Sequence, residues 1–239
     1  MEKVAIIIPA YNEENAIKAL ITSIHQISFT DKYSIYPIVI NDCSTDNTLK
    51  IALGESCTVL NLPINLGIGS AVQCGYKYAY ANNFQFAVRI DGDGQHPPKE
   101  IEKLLNAFQK GNKDILIGSR FLNSTGFQSS IIRRLGIKYF QLLIKLFSGI
   151  TITDCTSGFR LLNRKAMQLS TEYYPDEYPE PESIILFSNK DLSLGEVSVN
   201  MIERQGGVSS INSFGSIYYI FKVSLAIFFT FIRLNFQKN

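Results

Sequence analysis

Phe86-Ala87-Val88-Arg89-Ile90-Asp91-Gly92-Asp93-Gly94-Gln95 sets a short, largely apolar strand directly before a turn of two aspartates, two glycines and an amide. The arrangement recurs upstream. Val4–Ile8 runs into Pro9-Ala10-Tyr11-Asn12-Glu13, and Tyr36–Ile40 into Asn41-Asp42-Cys43-Ser44-Thr45-Asp46. Short apolar runs bounded by turn residues fit strands buried on both faces of a parallel sheet. Thr58–Leu60, Asp114–Ile117 and Leu194–Val199 extend the series. Helical stretches separate the strands of the first half. One runs from about Asn15 to about Ile27 with Ile17, Leu20, Ile21 and Ile24 on one face. Others follow Asn47, the Asn65-Leu66-Gly67-Ile68-Gly69 turn, and Pro97-Pro98, proline being tolerated in a first helical turn. Strands spaced in this way predict right-handed βαβ units and a mainly parallel, Rossmann-like α/β sheet with flanking helices. In such sheets ligands bind beyond the carboxyl ends of the strands, where all these polar turns fall.

The chain has 239 residues, 46% apolar and 18% charged, which suits one folded α/β domain and excludes a disordered chain. We divide it into a catalytic domain, residues 1–212, and an apolar, basic C-terminal helix, residues 213–239. The net charge of +2 is small, but its distribution is uneven. Arg120, Arg133, Arg134, Lys138 and Lys145 occur between Arg120 and Gly149 without an acidic residue, and only cations follow Glu203. Such a distribution points to an anionic partner, a phosphate-bearing ligand or a lipid surface. Nucleic acid is not expected, because the cations lack interleaved exposed aromatics. The four cysteines form no C-x-x-C pair, so reduced thiols are expected rather than a zinc or redox site. The first apolar run is too short for a signal peptide and stops at Pro9.

Asp91, Asp93 and Gln95 carry the strongest chemical signal. Two carboxylates and an amide oxygen at alternate positions can converge from a turn, and oxygen ligands suit Mg²⁺ or Mn²⁺. Such a metal would bridge a diphosphate and stabilise charge on a leaving group. Asp42 is read as a contact to a nucleobase or ribose, with Thr45 and Asp46 as helix-capping residues. Pro9, Tyr11 and Glu13 could line the same pocket. Asn65-x-Gly67-x-Gly69 is a loose match to a phosphate loop and is more often a tight turn.

Together these segments resemble the family-2 glycosyltransferases, in particular their dolichol-phosphate-mannose-synthase-like branch. The resemblance also rests on Gly118-Ser119-Arg120, Asp154-Cys155-Thr156-Ser157-Gly158-Phe159-Arg160 and Arg204-Gln205-Gly206-Gly207, and runs from about residue 3 to about residue 210. It implies a GT-A fold and an inverting, metal-dependent transfer of a hexosyl-type sugar from a nucleoside-diphosphate sugar. By position, Asp91, Asp93 and Gln95 would hold Mg²⁺ or Mn²⁺. Asp42, Pro9, Tyr11 and Glu13 would hold the nucleoside, and Arg120 and Arg204 donor or acceptor phosphates. Tyr178-Pro179-Glu180-Pro181-Glu182 is unlike the dolichol-phosphate synthases and suggests a different acceptor geometry.

The expected acceptor is a polyprenyl phosphate or lipid-linked glycan, in the synthesis of cell-surface polysaccharide or cell-wall glycan. A sugar hydroxyl would need a carboxylate base, for which Asp154, Glu180 and Glu182 are candidates, with Asp154 preferred. A lipid phosphate would need cations instead, which Arg120, Arg133 and Arg134 could supply. Ile131–Ile150 reads either as an interfacial helix or as one packed on the core. Ile217–Leu234 reads as a membrane-associating helix at the cytoplasmic face, or as a core or homo-oligomer helix. A nucleotidyltransferase and a non-catalytic nucleotide-sugar-binding protein are the alternative functions.

Overall fold

The structure, a computed structural model, describes residues 1–27, 32–123, 131–202 and 213–236, with 131–133 and 213–217 described by backbone alone. The first half runs β1 (Glu2–Ala10), α1 (Ile17–His25), β2 (Tyr33–Asn41), α2 (Thr48–Leu53), β3 (Thr58–Asn61), α3 (Ile68–Ala81) and β4 (Phe86–Arg89). The second continues with α4 (Ile101–Gly111), β5 (Ile115–Ser119), α5 (Ile131–Ser148), β6 (Arg160–Asn163), α6 (Arg164–Glu172), α7 (Pro179–Asn189), β7 (Leu194–Ser198) and α8 (Ser213–Phe236).

One seven-stranded sheet has the order β3-β2-β1-β4-β6-β5-β7. β1 pairs in parallel with β2 and β4, β2 with β3, and β5 with β7. β6 alone runs antiparallel, between β4 and β5. The mainly parallel sheet agrees with the sequence; the reversed strand has no counterpart in that reading. Both faces are covered, as the apolar runs require. Along β1, Ala5 and Ile7 enter one core with α3 and α5, while Val4, Ile6 and Ile8 enter another with α1 and α4. A fully buried isoleucine contributes roughly 1.5–3 kcal/mol, so this strand alone anchors much of the sheet. α1 buries Ile17, Leu20, Ile21 and Ile24, the four residues its periodicity selects.

α5 is apolar on two sides. Ile137, Phe140 and Ile144 enter the core, whereas Leu135, Tyr139, Leu142 and Leu146 face outward. α8 packs against α5 and α7 through Val223, Ile227 and Leu234. The four cysteines are free, and burial pushes the Cys155 thiol up to about 12. It is therefore an inert core group.

Candidate active site

The strand β4 ends in a charge. Arg89 is buried, donates from Nη2 to Asp91 Oδ1 at 3.1 Å, and sets Nη1 2.6 Å from Glu180 Oε1. Burial pulls its pKa down, but Glu180 and Asp91 outweigh this and hold it well above the usual value. An unpaired guanidinium here would cost several kcal/mol, on the order of 3–5, so the two carboxylates are needed for the strand to fold. Opposite Arg89 in the register lies Arg160, also buried. It donates to the Glu180 carbonyl at 2.7 Å and to Ser183 Oγ at 2.6 Å. The two arginines together seat the first turn of α7 at the edge of the Asp91 turn.

That turn is framed from within. Asp91 N–H donates to His96 Nδ1 at 3.0 Å, which fixes that nitrogen as an acceptor, and the ring stacks on Phe159 at 5.3 Å. Burial lowers the His96 pKa, although Asp91 and Asp93 act in the opposite direction. The ring is thus neutral, and its 3.8 Å approach to Asp91 Oδ2 is no ion pair. Asp93 is buried and accepts from Gln95 N at 3.0 Å, across a Gly94 with φ +77°. Asp91 keeps 31% of its side chain open to solvent. No three or more of His, Cys, Asp and Glu converge as a metal cage among the described residues. Two carboxylates with the Gln95 amide fit Mg²⁺ or Mn²⁺ all the same, since these ions take few protein oxygens and complete their shell with water and phosphate.

The lips after β1 and β2 adjoin this turn. A Cβ at Gly92 would lie 3.0 Å from the Pro9 carbonyl and 3.5 Å from Glu13 Cγ, so the aspartate turn rests directly on Pro9–Glu13. Tyr11 is 48% exposed beside it. Hydrogen bonds zip this lip to the next one. Asn12 Oδ1 accepts from Thr45 N at 2.8 Å, Thr48 Oγ1 from Glu13 N at 2.8 Å, and Glu14 Oε2 from Asn47 N at 3.0 Å. Asp46 accepts from Thr48 N at 2.9 Å, one residue before the helix cap, which is Asn47 and makes no side-chain capping bond. Burial would raise the Asp46 pKa, yet the bonds from Thr48 and Glu14 hold it below the ordinary value.

Asp42 is buried, and its two oxygens accept from Leu66 N at 2.7 Å and Gly67 N at 2.9 Å. It clasps the loop before α3. Each oxygen retains a second lone pair for the expected nucleoside contact. Gly69 N donates to the Asp176 carbonyl at 3.0 Å. The backbone N–H groups of Leu66, Gly67 and Gly69, three that a phosphate loop would present, are therefore already bonded within the protein.

Arg120 and Asp154 form a buried, bidentate pair. Nε and Nη2 each donate at 2.7 Å, and Arg120 N adds a third bond at 3.1 Å. Glu196 of β7 accepts from Asp154 N at 2.9 Å and Thr153 N at 2.7 Å, fixing the segment. Burial draws the Arg120 pKa down, but Asp154 more than compensates. This corrects one expectation. Asp154 does not face an acceptor; both oxygens are turned to Arg120, and its geometry is that of a positioning residue. Glu182 is likewise away from the aspartate turn, accepting from Thr230 of α8 at 3.1 Å. Of the three candidate bases, Glu180 is the one joined to Asp91, through Arg89. Arg134 is exposed on α5. Arg204 and the Arg133 side chain lie outside the described residues. Arg89, Arg160 and Glu196 were missed by sequence reasoning. An arginine inside the apolar run Phe86–Ile90 was the available signal, because a buried cation requires carboxylates.

Similar proteins bear on this geometry. The chain is 28% identical over 217 residues to a UDP-N-acetylglucosamine–dolichyl-phosphate N-acetylglucosaminyltransferase of Methanococcus voltae, covering 82% of this chain and 84% of that one. It is 26% identical to a polyprenol monophosphomannose synthase of Mycolicibacterium smegmatis, covering 93% and 86%. Its fold is that of glucosyl-3-phosphoglycerate synthase from Mycobacterium tuberculosis, solved with Mn²⁺, UDP-glucose and phosphoglyceric acid, at TM-score 0.71 and 16% identity over 98% of this chain and 79% of that one. The sheet is thus a GT-A sheet. A family model described as glycosyl transferase family 2 matches residues 5–169, and with the aspartate turn at its expected strand end the chain belongs to that family.

Proposed function

We propose that residues 1–212 transfer a sugar, with inversion, from a nucleoside-diphosphate sugar to a polyprenyl phosphate or lipid-linked glycan at the cytoplasmic face of a membrane. The observation that carries this reading is the Asp91–Gln95 turn at the end of β4, resting on the Pro9–Glu13 lip and tied by Arg89 to α7. The names of the two curated relatives, both transferases to lipid phosphates, support the acceptor class. Asp91, Asp93 and Gln95 would hold Mg²⁺ or Mn²⁺, whose charge stabilises a departing diphosphate.

The remaining work falls to the chain itself. Tyr11, which is exposed, would offer an aromatic face to the nucleoside, while Pro9, buried at the end of β1, backs the aspartate turn and Asp42 holds the neighbouring loop in place. Arg120, fixed by Asp154, supplies a permanent cation for a phosphate. A lipid phosphate arrives as an anionic nucleophile, so its site needs cations and in-line placement rather than a strong base. Arg133, Arg134 and Arg204 are the further cations we assign to it. Residues 213–239 serve membrane association.

A panel of radiolabelled nucleotide sugars with polyprenyl phosphate and Mn²⁺ tests the reaction. Label moving to the organic phase with one donor is expected. Label that remains aqueous with every donor contradicts the acceptor assignment.

A further inference from the structure

Tyr218–Phe236 within α8 is long and apolar enough to cross a bilayer, with 19 residues and a mean hydropathy of 1.5. Four of its polar side chains, however, make contacts to the rest of the protein, spread along its length. Lys222 Nζ lies 3.2 Å from Glu177 Oε2, and Thr230 Oγ1 donates to Glu182. Further along, Arg233 covers the Tyr173 ring at 3.9 Å, and Asn235 Oδ1 accepts from Asn189 Nδ2 at 3.4 Å. A membrane-crossing helix would have to release all four contacts and leave a lysine and an arginine in hydrocarbon.

Beside these contacts the surface of the helix is aromatic and open, with Phe221, Phe228 and Phe229 exposed and Phe229 on the same stripe as Lys222 and Arg233. α5 lies beside it in the same direction. Phe147 meets Phe228 at 6.2 Å between ring centres, and Ser224 Oγ donates to the part-exposed Tyr139 hydroxyl at 3.2 Å. Across that seam Leu142 and Leu146 are 65% and 72% exposed. The charges carried by the two helices have one sign, the carboxylate of Glu177 beside Lys222 lying outside both. Arg134, Lys138 and Lys145 are exposed on α5, and neither helix contains an aspartate or glutamate.

Resting on the membrane association proposed above, we propose that α5 and α8 together form a platform that lies flat on an anionic lipid surface, with α8 not spanning the bilayer. Aromatic and leucine side chains enter the acyl boundary, and the α5 cations meet lipid phosphates. A second copy of the chain is a poorer occupant, because pairing this face with itself brings like charges together.

The chain contains no tryptophan, so single-tryptophan reporters are available. Leu142→Trp and Phe229→Trp proteins are mixed with vesicles of phosphatidylcholine, with and without phosphatidylglycerol, and quenched by lipids brominated at different depths. Both reporters are expected to shift to the blue with the anionic vesicles and to quench best by shallow bromines. A K138E/K145E variant, unchanged in thermal melting, should lose partitioning by at least about tenfold. Strongest quenching of Phe229→Trp by bromines at the bilayer centre would overturn the flat platform while leaving membrane association intact. No shift with either vesicle, or a stable dimer hidden from both, would overturn the lipid assignment. Because partitioning is read without donor sugar, either failure is separable from failure of the transferase reaction.

Discussion

A guanidinium buried at the end of β4 between Asp91 and Glu180 cannot be removed without taking from Glu180, 17% exposed, the cation it lies against. Arg89→Met should lower stability by about 3–5 kcal/mol, read from denaturant midpoints, and weaken transfer through the loosened Asp91 turn. A variant as stable as the parent would show that the pairing contributes nothing. The buried pair of Arg120 and Asp154 gives a second test. Asp154→Asn keeps the shape but withdraws the charge that Arg120 needs, and should cost about 3 kcal/mol of stability. Arg120→Met with Asp154→Leu, replacing both partners, should lose less than the sum of the single changes. A catalytic base would behave otherwise. Asp154→Asn would then abolish turnover at unchanged stability and remove a limb of the pH–rate profile. At this scale the sequence was most informative about residues in turns. Asp91, Asp93 and Gln95 follow directly on β4, the strand that the apolar run predicts. The role of Asp154 was not legible, since its partner is 34 positions away and only the fold brings Arg120 within reach.

Among the elements, the α3 entry and α7 show where local pattern and packing part company. A Cβ at Gly69 would come within 2.0 Å of the Pro175 carbonyl, so the glycine serves close approach of the 175–176 loop rather than anion binding. Gly69→Ala should therefore destabilise by a few kcal/mol, on the order of 1–3, while donor affinity per folded molecule stays near the parent value. Loss of affinity at full stability would revive the phosphate-loop reading. α7 joins the aspartate turn at Glu180 to α8 at Glu182. Burial pushes the Glu182 carboxyl up to about 7, against the hydrogen bond from Thr230 and the Arg233 charge. Between the ordinary value of 4.5 and about 7, the folded protein holds a proton that the unfolded chain has released. Stability should be fullest below that window and fall as pH rises through it, by at most about 3 kcal/mol. Glu182→Gln retains an acceptor for Thr230 and should remove the slope in denaturation curves from pH 4.5 to 8. Equal slopes in both proteins would contradict the burial argument. Neither α7 nor β6 was legible in the sequence. α7 opens with Pro179 and Pro181, which read as loop, and buries the consecutive run Ile184–Phe187, which has no helical period. β6 is four residues long and begins with a charge.

For the molecule as a whole, the alternation of strands and helices was enough to predict an α/β sheet with its polar turns at one edge, and the family match agrees. What the alternation could not supply was the reversed strand, whose antiparallel pairing sets Arg160 beside Arg89 and so brings α7 to the site. The nucleotidyltransferase alternative gives way to the family assignment. For α5 the sequence left an interfacial and a core-packed reading open, and the packing shows one face in the core with Leu135, Tyr139, Leu142 and Leu146 turned outward. The central claim is that the Asp91–Gln95 turn holds a divalent cation together with the donor's diphosphate. Titrating Mn²⁺ into the protein with and without a nucleoside diphosphate, by calorimetry, tests it most directly. Mn²⁺ is predicted to bind strongly only when the diphosphate is present, and Asp93→Ala is predicted to abolish that coupling while the protein remains folded. Coupled binding of the same strength in Asp93→Ala would contradict the account.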